Sequence, residues 1–311
     1  MPLPKDVTEF IKGMGNAWSP NVNAACEAFF TKCHSAQPQT TPQPFRCTKN
    51  ISYGPYERNR LDVYQPTPTD EAPSNALMVV YFHGGGFSAG DNDISEHIHG
   101  NIAKVFAHHR MVGILATYRL LPDARFPEGM EDVAAALRWV KDHAREYGGD
   151  ESRVFVIGQS AGGAHLAMAL FSGLLRQIDA VPRGIVLQSA PFWYDLTQAR
   201  RKANMLQYYA ASDEDGALKD CGLSMFRRLG TIDAFETELF ITVAEFDFDE
   251  CVRGNMMFLE ACRLQMKRLP RFEVLHGHNH VSYALSMGLE GDEIGPKILS
   301  FVQRVIGEAE S

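Results

Sequence analysis

Five short stretches of the chain are almost wholly apolar: 76–82, 112–116, 154–157, 184–187 and 239–243. Such runs fit strands buried on both faces, as parallel strands inside an α/β sheet are. Ile51–Tyr53 and Leu61–Tyr64 instead alternate apolar and polar positions, the pattern of half-buried strands. Between the runs the apolar residues recur at helical spacing, as at Val133, Leu137, Val140 and Ala144. This alternation predicts a doubly wound, mostly parallel α/β sheet with right-handed crossovers. In such a sheet ligands bind beyond the carboxyl ends of the strands. The segments that follow each apolar run are therefore where chemistry is sought.

The first 50 residues follow another pattern. Val7, Phe10 and Ile11, then Ala25, Phe29 and Phe30, have helix-like spacing, and a Gln/Pro/Thr-rich break follows at Gln37–Pro42. That composition reads as a linker or an extended crossing.

The 154–157 run leads into Gly158-Gln159-Ser160-Ala161-Gly162-Gly163, and Leu166, Leu170 and Leu174 then continue at helical spacing. A serine on a sharp strand-to-helix turn is held in a strained backbone conformation with its hydroxyl projecting. Its neighbours two residues either side must be small, because strand and helix nearly touch there. The 76–82 run leads into His83-Gly84-Gly85-Gly86-Phe87. Three glycines let backbone N–H groups converge on one point, the device that stabilises an oxyanion in acyl transfer.

A nucleophilic serine needs a base, and the base needs an orienting acid, in the chain order serine, acid, histidine for this kind of turn. Two clusters stand at strand ends: Glu245, Asp247, Asp249 and Glu250 after the 239–243 run, and His276, His278 and His280 after Phe272–Leu275. Asp249 and Glu250 open a helical stretch and suit capping. Asp247 and His280 are favoured, with Glu245 and His278 as their rivals.

Charge and composition narrow the class. The 311 residues carry 30 Lys+Arg against 38 Asp+Glu, a formal net charge of −8, which argues against a nucleic-acid partner. No apolar run reaches the roughly 20 residues that span a bilayer. The opening residues 1–6 lack a signal peptide's apolar stretch, so a cytoplasmic location is expected. The 6 cysteines form no C-x-x-C pair and the chain has no H-E-x-x-H, so reduced thiols and no metal are expected.

HGGGF at 83–87 and GQSAGG at 158–163 are joined by Tyr118-Arg119-Leu120-Leu121-Pro122-Asp123 with Phe126-Pro127, and by a helical stretch from Asp132 to Trp139. From about Ile51 onward the chain resembles the α/β-hydrolase fold carboxylesterases of the hormone-sensitive-lipase-like family. The resemblance implies a core at 51–311 and a helical cap built from residues 1–50 and an insertion at about 192–236. It makes Ser160 the nucleophile, His280 the base and Asp247 the acid, with the N–H groups of Gly85, Gly86 and Ala161 as the oxyanion hole. Three positions depart from the family pattern: Phe248 where proline follows the acid, Gln159 where an acidic residue precedes the serine, and Leu121 where alanine is usual. The 192–236 segment is rich in aromatic and Met side chains, and Trp193 and Tyr208, with Phe87 and Trp18 more weakly, are candidates for an apolar substrate wall.

The expected function is hydrolysis of carboxylic esters of small to medium apolar substrates through an acyl-enzyme, without a cofactor. A lactonase or arylformamidase-like amide hydrolase would use the same three side chains, and a non-hydrolytic ligand-binding protein or lyase is a further alternative in the family. The partner is a small-molecule ester or lactone, and a homodimer is left open.

Overall fold

The computed structural model describes residues 3–37, 45–67, 75–95, 97–232 and 235–310. The break expected at Gln37–Pro42 lies, from Pro38 on, outside them. One eight-stranded sheet runs through the molecule: β1 (Phe45–Ser52), β2 (Arg60–Pro66), β3 (Ala76–Phe82), β4 (Val112–Ala116), β5 (Gly149–Gln159), β6 (Gly184–Gln188), β7 (Glu238–Phe246) and β8 (Arg271–Asn279). Their spatial order is β1-β2-β4-β3-β5-β6-β7-β8. β2 is antiparallel to both its neighbours, and the six strands from β4 to β8 across the sheet are parallel. This is the α/β-hydrolase fold.

The sheet begins earlier than the boundary at residue 50. β1 was hidden because its exposure does not alternate cleanly. The register shifts between Thr48 and Ile51, where Asn50 takes φ 57° and its N–H donates to Asp62 Oδ1 at 2.8 Å. A bulge of this kind erases the period-2 signal.

The helices are α1 (Lys5–Met14), α2 (Pro20–Ala36), α3 (Gly100–His108), α4 (Glu128–His143), α5 (Ala161–Phe171), α6 (Leu174–Gln177), α7 (Ala199–Tyr208), α8 (Glu214–Lys219), α9 (Gly222–Arg228), α10 (Asp249–Gln265), α11 (Ser282–Leu285) and α12 (Ile294–Glu310). Alternate side chains of β3 feed two cores. Met78, Val80 and Phe82 face α4, α5 and the 192–236 helices, while Val79 and Tyr81 face α3, α11 and α12. A third, smaller core joins α1 and α2 to loops at the carboxyl ends of the strands, through Val7, Ile11, Cys26 and Phe30 against Ile98, Val281 and Leu285. The N-terminal helices are thereby held over the edge where chemistry is expected. None of the six cysteines is bridged. Among the described residues no helix is long and apolar enough to cross a membrane.

Candidate active site

β5 passes into α5 with Ser160 at the turn, at φ 50° and ψ −119°. The two elements cross so closely that a Cβ on Gly158 would lie 2.6 Å from Gly163 Cα, and one on Gly162 would lie 2.4 Å from the Phe82 carbonyl oxygen. Glycine at these positions is a condition of the turn, and the turn puts the Ser160 hydroxyl at the carboxyl edge of the sheet.

His280 follows β8, and its Nε2 lies 2.8 Å from Ser160 Oγ. Its Nδ1 lies 2.7 Å from Asp247 Oδ1. A carboxylate only accepts, so Nδ1 carries the hydrogen and Nε2 offers its lone pair to the serine hydroxyl. The second Asp247 oxygen accepts from Ser189 Oγ at 2.6 Å and from the Ala244 N–H at 3.1 Å. Burial alone would push the Asp247 carboxyl up, but the His280 ring beside it and these hydrogen bonds outweigh burial and hold it below its ordinary value.

The rivals lie elsewhere. Glu245 accepts from the Gly277 N–H at 2.7 Å and faces the exposed His276. His278 is buried with Nδ1 3.1 Å from Ser282 Oγ, and burial lowers it to about 4. Glu250 is bound by the Arg201 guanidinium at 2.6 Å and accepts from the Asp195 N–H.

The triple-glycine loop abuts the serine. A Cβ on Gly84 would lie 3.0 Å from Ser160 Cβ. Gly85 and Gly86 take φ 135° and 62°, and Gly85 is so tightly folded that a Cβ would meet the Ala89 carbonyl oxygen at 1.9 Å. Among the described residues the N–H groups of Gly85, Gly86 and Ala161 have no acceptor. The loop is braced from behind. His83 is buried, with Nε2 2.8 Å from Thr117 Oγ1, and the Tyr118 hydroxyl donates to the His83 carbonyl at 2.6 Å. Arg58 donates to Gly90 and Tyr118 carbonyls at 2.8 Å each.

Ser160 opens on a cavity of about 200 Å³, walled by the glycine loop, by Trp18, Asn23 and Glu27 of the N-terminal segment, and by Tyr81, His99, Gln159 and His280. A larger groove of about 420 Å³ lies at the opposite, amino-terminal ends of β7 and β8, away from these groups. The expected aromatic wall is corrected here except at Trp18, which borders the cavity. Phe87 and Tyr208 are 1% and 2% exposed and stack on each other at 4.2 Å, while Trp193 packs beneath Arg253. None of the three borders the cavity. The apolar side chains of the 192–236 segment fill the core beneath it, and α2 supplies the wall instead.

Sequence reading also passed over Ser189 and the polar face of α2. Ser189 follows β6 directly, so a polar residue just past a strand's carboxyl end was the available signal. Gln159, at the position where the family pattern is acidic, is turned to the His280 loop, its amide donating to the His280 carbonyl at 3.1 Å.

Comparison with known proteins bears on the fold and family. A family described as alpha/beta hydrolase fold matches residues 79–235. The chain is 40% identical over 126 residues to carboxylesterase NlhH of Mycobacterium tuberculosis, a match covering 40% of this chain and 36% of that protein. It is 39% identical over 135 residues to esterase LipI of the same organism, covering 43% and 39%. The matches thus span well under half the length of these relatives. Among solved structures, esterase B from Lactobacillus rhamnosis superposes with a TM-score of 0.74 at 14% identity, covering 99% of this chain and 98% of that one. An esterase from the archaeon Pyrobaculum calidifontis superposes with a TM-score of 0.69 at 20% identity, covering 98% and 99%. With its two glycine motifs at the places the fold requires, the chain belongs to the α/β-hydrolase fold family, in the hormone-sensitive-lipase-like group that its motifs resemble.

Proposed function

We propose that the chain is a serine-dependent carboxylic-ester hydrolase that works through an acyl-enzyme. The observation that carries this reading is the unbroken hydrogen-bond chain from Ser160 Oγ through His280 to Asp247, opening on a cavity beside the triple-glycine loop. As Oγ attacks the ester carbonyl, His280 takes its proton at Nε2. Asp247 keeps the ring in the right tautomer and offsets the charge of the imidazolium. The N–H groups of Gly85, Gly86 and Ala161 receive the oxyanion, where a low-polarity surrounding makes each donor count for more than in water. The imidazolium then protonates the leaving alcohol. Water deprotonated by His280 attacks the acyl-enzyme, expelling Ser160 and releasing the acid.

Helices α1 and α2, together with the 192–236 segment, act as the cap in this reading. The N-terminal pair forms the part that borders the substrate. A cavity near 200 Å³ suits small to medium esters. The similarity to named esterases supports the ester over other acyl bonds.

The experiment is turnover of p-nitrophenyl butyrate by the wild type and by Ser160→Ala. A fall in kcat on the order of 10⁴-fold or more is expected, and comparable turnover by the two would overturn the reading. Matched lactone and anilide substrates in the same assay rank the bond classes.

A further inference from the structure

Helix α2 brings to the cavity beside Ser160 a charge that ester hydrolysis itself leaves idle. Glu27 is half-buried, and among the described residues it is the one carboxylate that borders the cavity. Its Oε1 accepts from Asn23 Nδ2 at 2.8 Å, one turn earlier on the same face. Burial pushes the carboxyl up, and the Asn23 amide opposes burial without help from any cation. No lysine or arginine among the described residues borders the cavity. His99, also on its wall, is kept neutral by burial, which lowers it to about 4. Charges drawn partly out of water in native proteins are usually paired, because an unpaired one is destabilising. A lone carboxylate on the wall of a reactive cavity therefore points at a cation that the cavity receives.

Trp18, just ahead of α2, stands on the same wall and keeps 40% of its surface exposed. Its indole overhangs the glycine loop: a Cβ on Gly86 would lie 3.8 Å from Trp18 Cη2. The electron-rich face of an indole attracts cations more strongly than any other side-chain ring does. Ile94, Val281, Ala284 and Leu285 make the rest of this side of the cavity apolar.

Resting on the ester-hydrolase reading, we propose that the preferred substrates are esters carrying an ammonium group, joined by a short apolar chain to the reacting carbonyl or to its alcohol oxygen, with Glu27 and Trp18 as specificity-determining residues. The aliphatic side chains cover the chain, and the carboxylate and the indole receive the cation. A neutral ester would take water from Glu27 and give it no partner. An ester bearing a carboxylate would meet it with like charge. The formal net charge of −8 favours the approach of the same cationic class from solution. This adds a charged end to the apolar substrate expected from the aromatic content of the 192–236 segment.

The test uses the full chain and two pairs of esters matched in shape: butyrylcholine against 3,3-dimethylbutyl butyrate, and ethyl 6-aminohexanoate against ethyl heptanoate. They place the cation on the alcohol and on the acid side. In at least one pair kcat/KM is expected to be roughly tenfold higher for the cationic ester. Glu27→Gln keeps the size of the side chain and should shrink that ratio about fivefold or more. Trp18→Leu should shrink it about threefold. Preference for the neutral member of both pairs, or a ratio that either variant leaves unchanged, overturns the proposal.

Calorimetric titration of Ser160→Ala with the same four esters reads the pocket independently of turnover. Tighter binding of a cationic ester, lost on adding Glu27→Gln, supports the site even if no ester is hydrolysed, and equal binding within both pairs overturns it. Absence of turnover on all four esters with cation-selective binding would count against the hydrolase reading alone.

Discussion

At φ 50° Ser160 occupies backbone space that costs a residue with a side chain about 1–3 kcal/mol. The surroundings enforce it: glycines at 158, 162 and 163 let β5, α5 and β3 touch. Gly162→Ala would drive a Cβ to 2.4 Å from the Phe82 carbonyl oxygen, and a loss of about 3 kcal/mol is expected in chemical denaturation. Asp247→Asn keeps the size of the side chain while removing the preference for the hydrogen on Nδ1 of His280. A fall in kcat of about 10⁴-fold with an unchanged circular dichroism spectrum is expected. Tyr81→Phe should act in the other direction on stability. Deleting a buried hydroxyl that has no partner is expected to stabilise the ligand-free chain by about 1 kcal/mol, read as a higher urea midpoint. A lower midpoint would mean that the hydroxyl is satisfied in solution.

Among the elements, α2 is the one whose two faces do different work. Its start is fixed by Ser19, whose Oγ accepts from the Val22 N–H at 3.2 Å, with Pro20 in the first turn. Phe30 and Cys26 are fully buried against Val281 and Leu285, and the His34 ring donates from Nε2 to the Leu285 carbonyl at 2.8 Å. Asn23 and Glu27 face the cavity, and Trp18 just ahead of the helix meets the His280 ring edge-on at 6.5 Å. The helix is thus tied to the residues that follow His280. Phe30→Ala should cost about 3–4 kcal/mol in global stability. Because the loss falls under the cavity wall and not under Ser160, KM is expected to rise more than kcat falls in steady-state kinetics. The apolar spacing at Ala25, Phe29 and Phe30 was enough to foresee a helix. Which of its polar residues would meet substrate was not readable, because that depends on how the helix is rolled against a partner far away in the chain.

Across the whole molecule the net charge is −8, yet acid sensitivity is set by buried imidazoles. His83 and His165 are lowered by burial to about 3, and His99 and His278 to about 4, from an ordinary 6.5. Such groups are neutral in the fold and bind protons once unfolded, so the stability they contribute is full above pH 6.5 and drains away as pH falls towards 4. Each adds to the fall of stability with pH in that window. Thermal melts should therefore show Tm dropping steeply between pH 6.5 and 4. Asp247, depressed in the fold, adds to the loss only when pH falls below its ordinary 3.8. A Tm flat down to pH 4.5 would contradict the buried, neutral state of these rings. By itself the sequence determined the alternation of strands and helices, the turn at Ser160 and the triple-glycine loop. Those rest on requirements that act within a few residues: the period of burial, and the glycines a tight crossing demands. It missed β1's start, where a bulge breaks the period. The sequence favoured Asp247 over Glu245 and His280 over His278, and tertiary structure brings that pair together, Asp247 onto His280 and His280 onto Ser160, partners 33 and 120 positions apart. Tertiary structure alone decided that α2 and Tyr81 wall the cavity in place of Phe87, Trp193 and Tyr208. A large aromatic side chain has the same preference for burial in a core as in a cleft, and only the packing of distant segments separates the two.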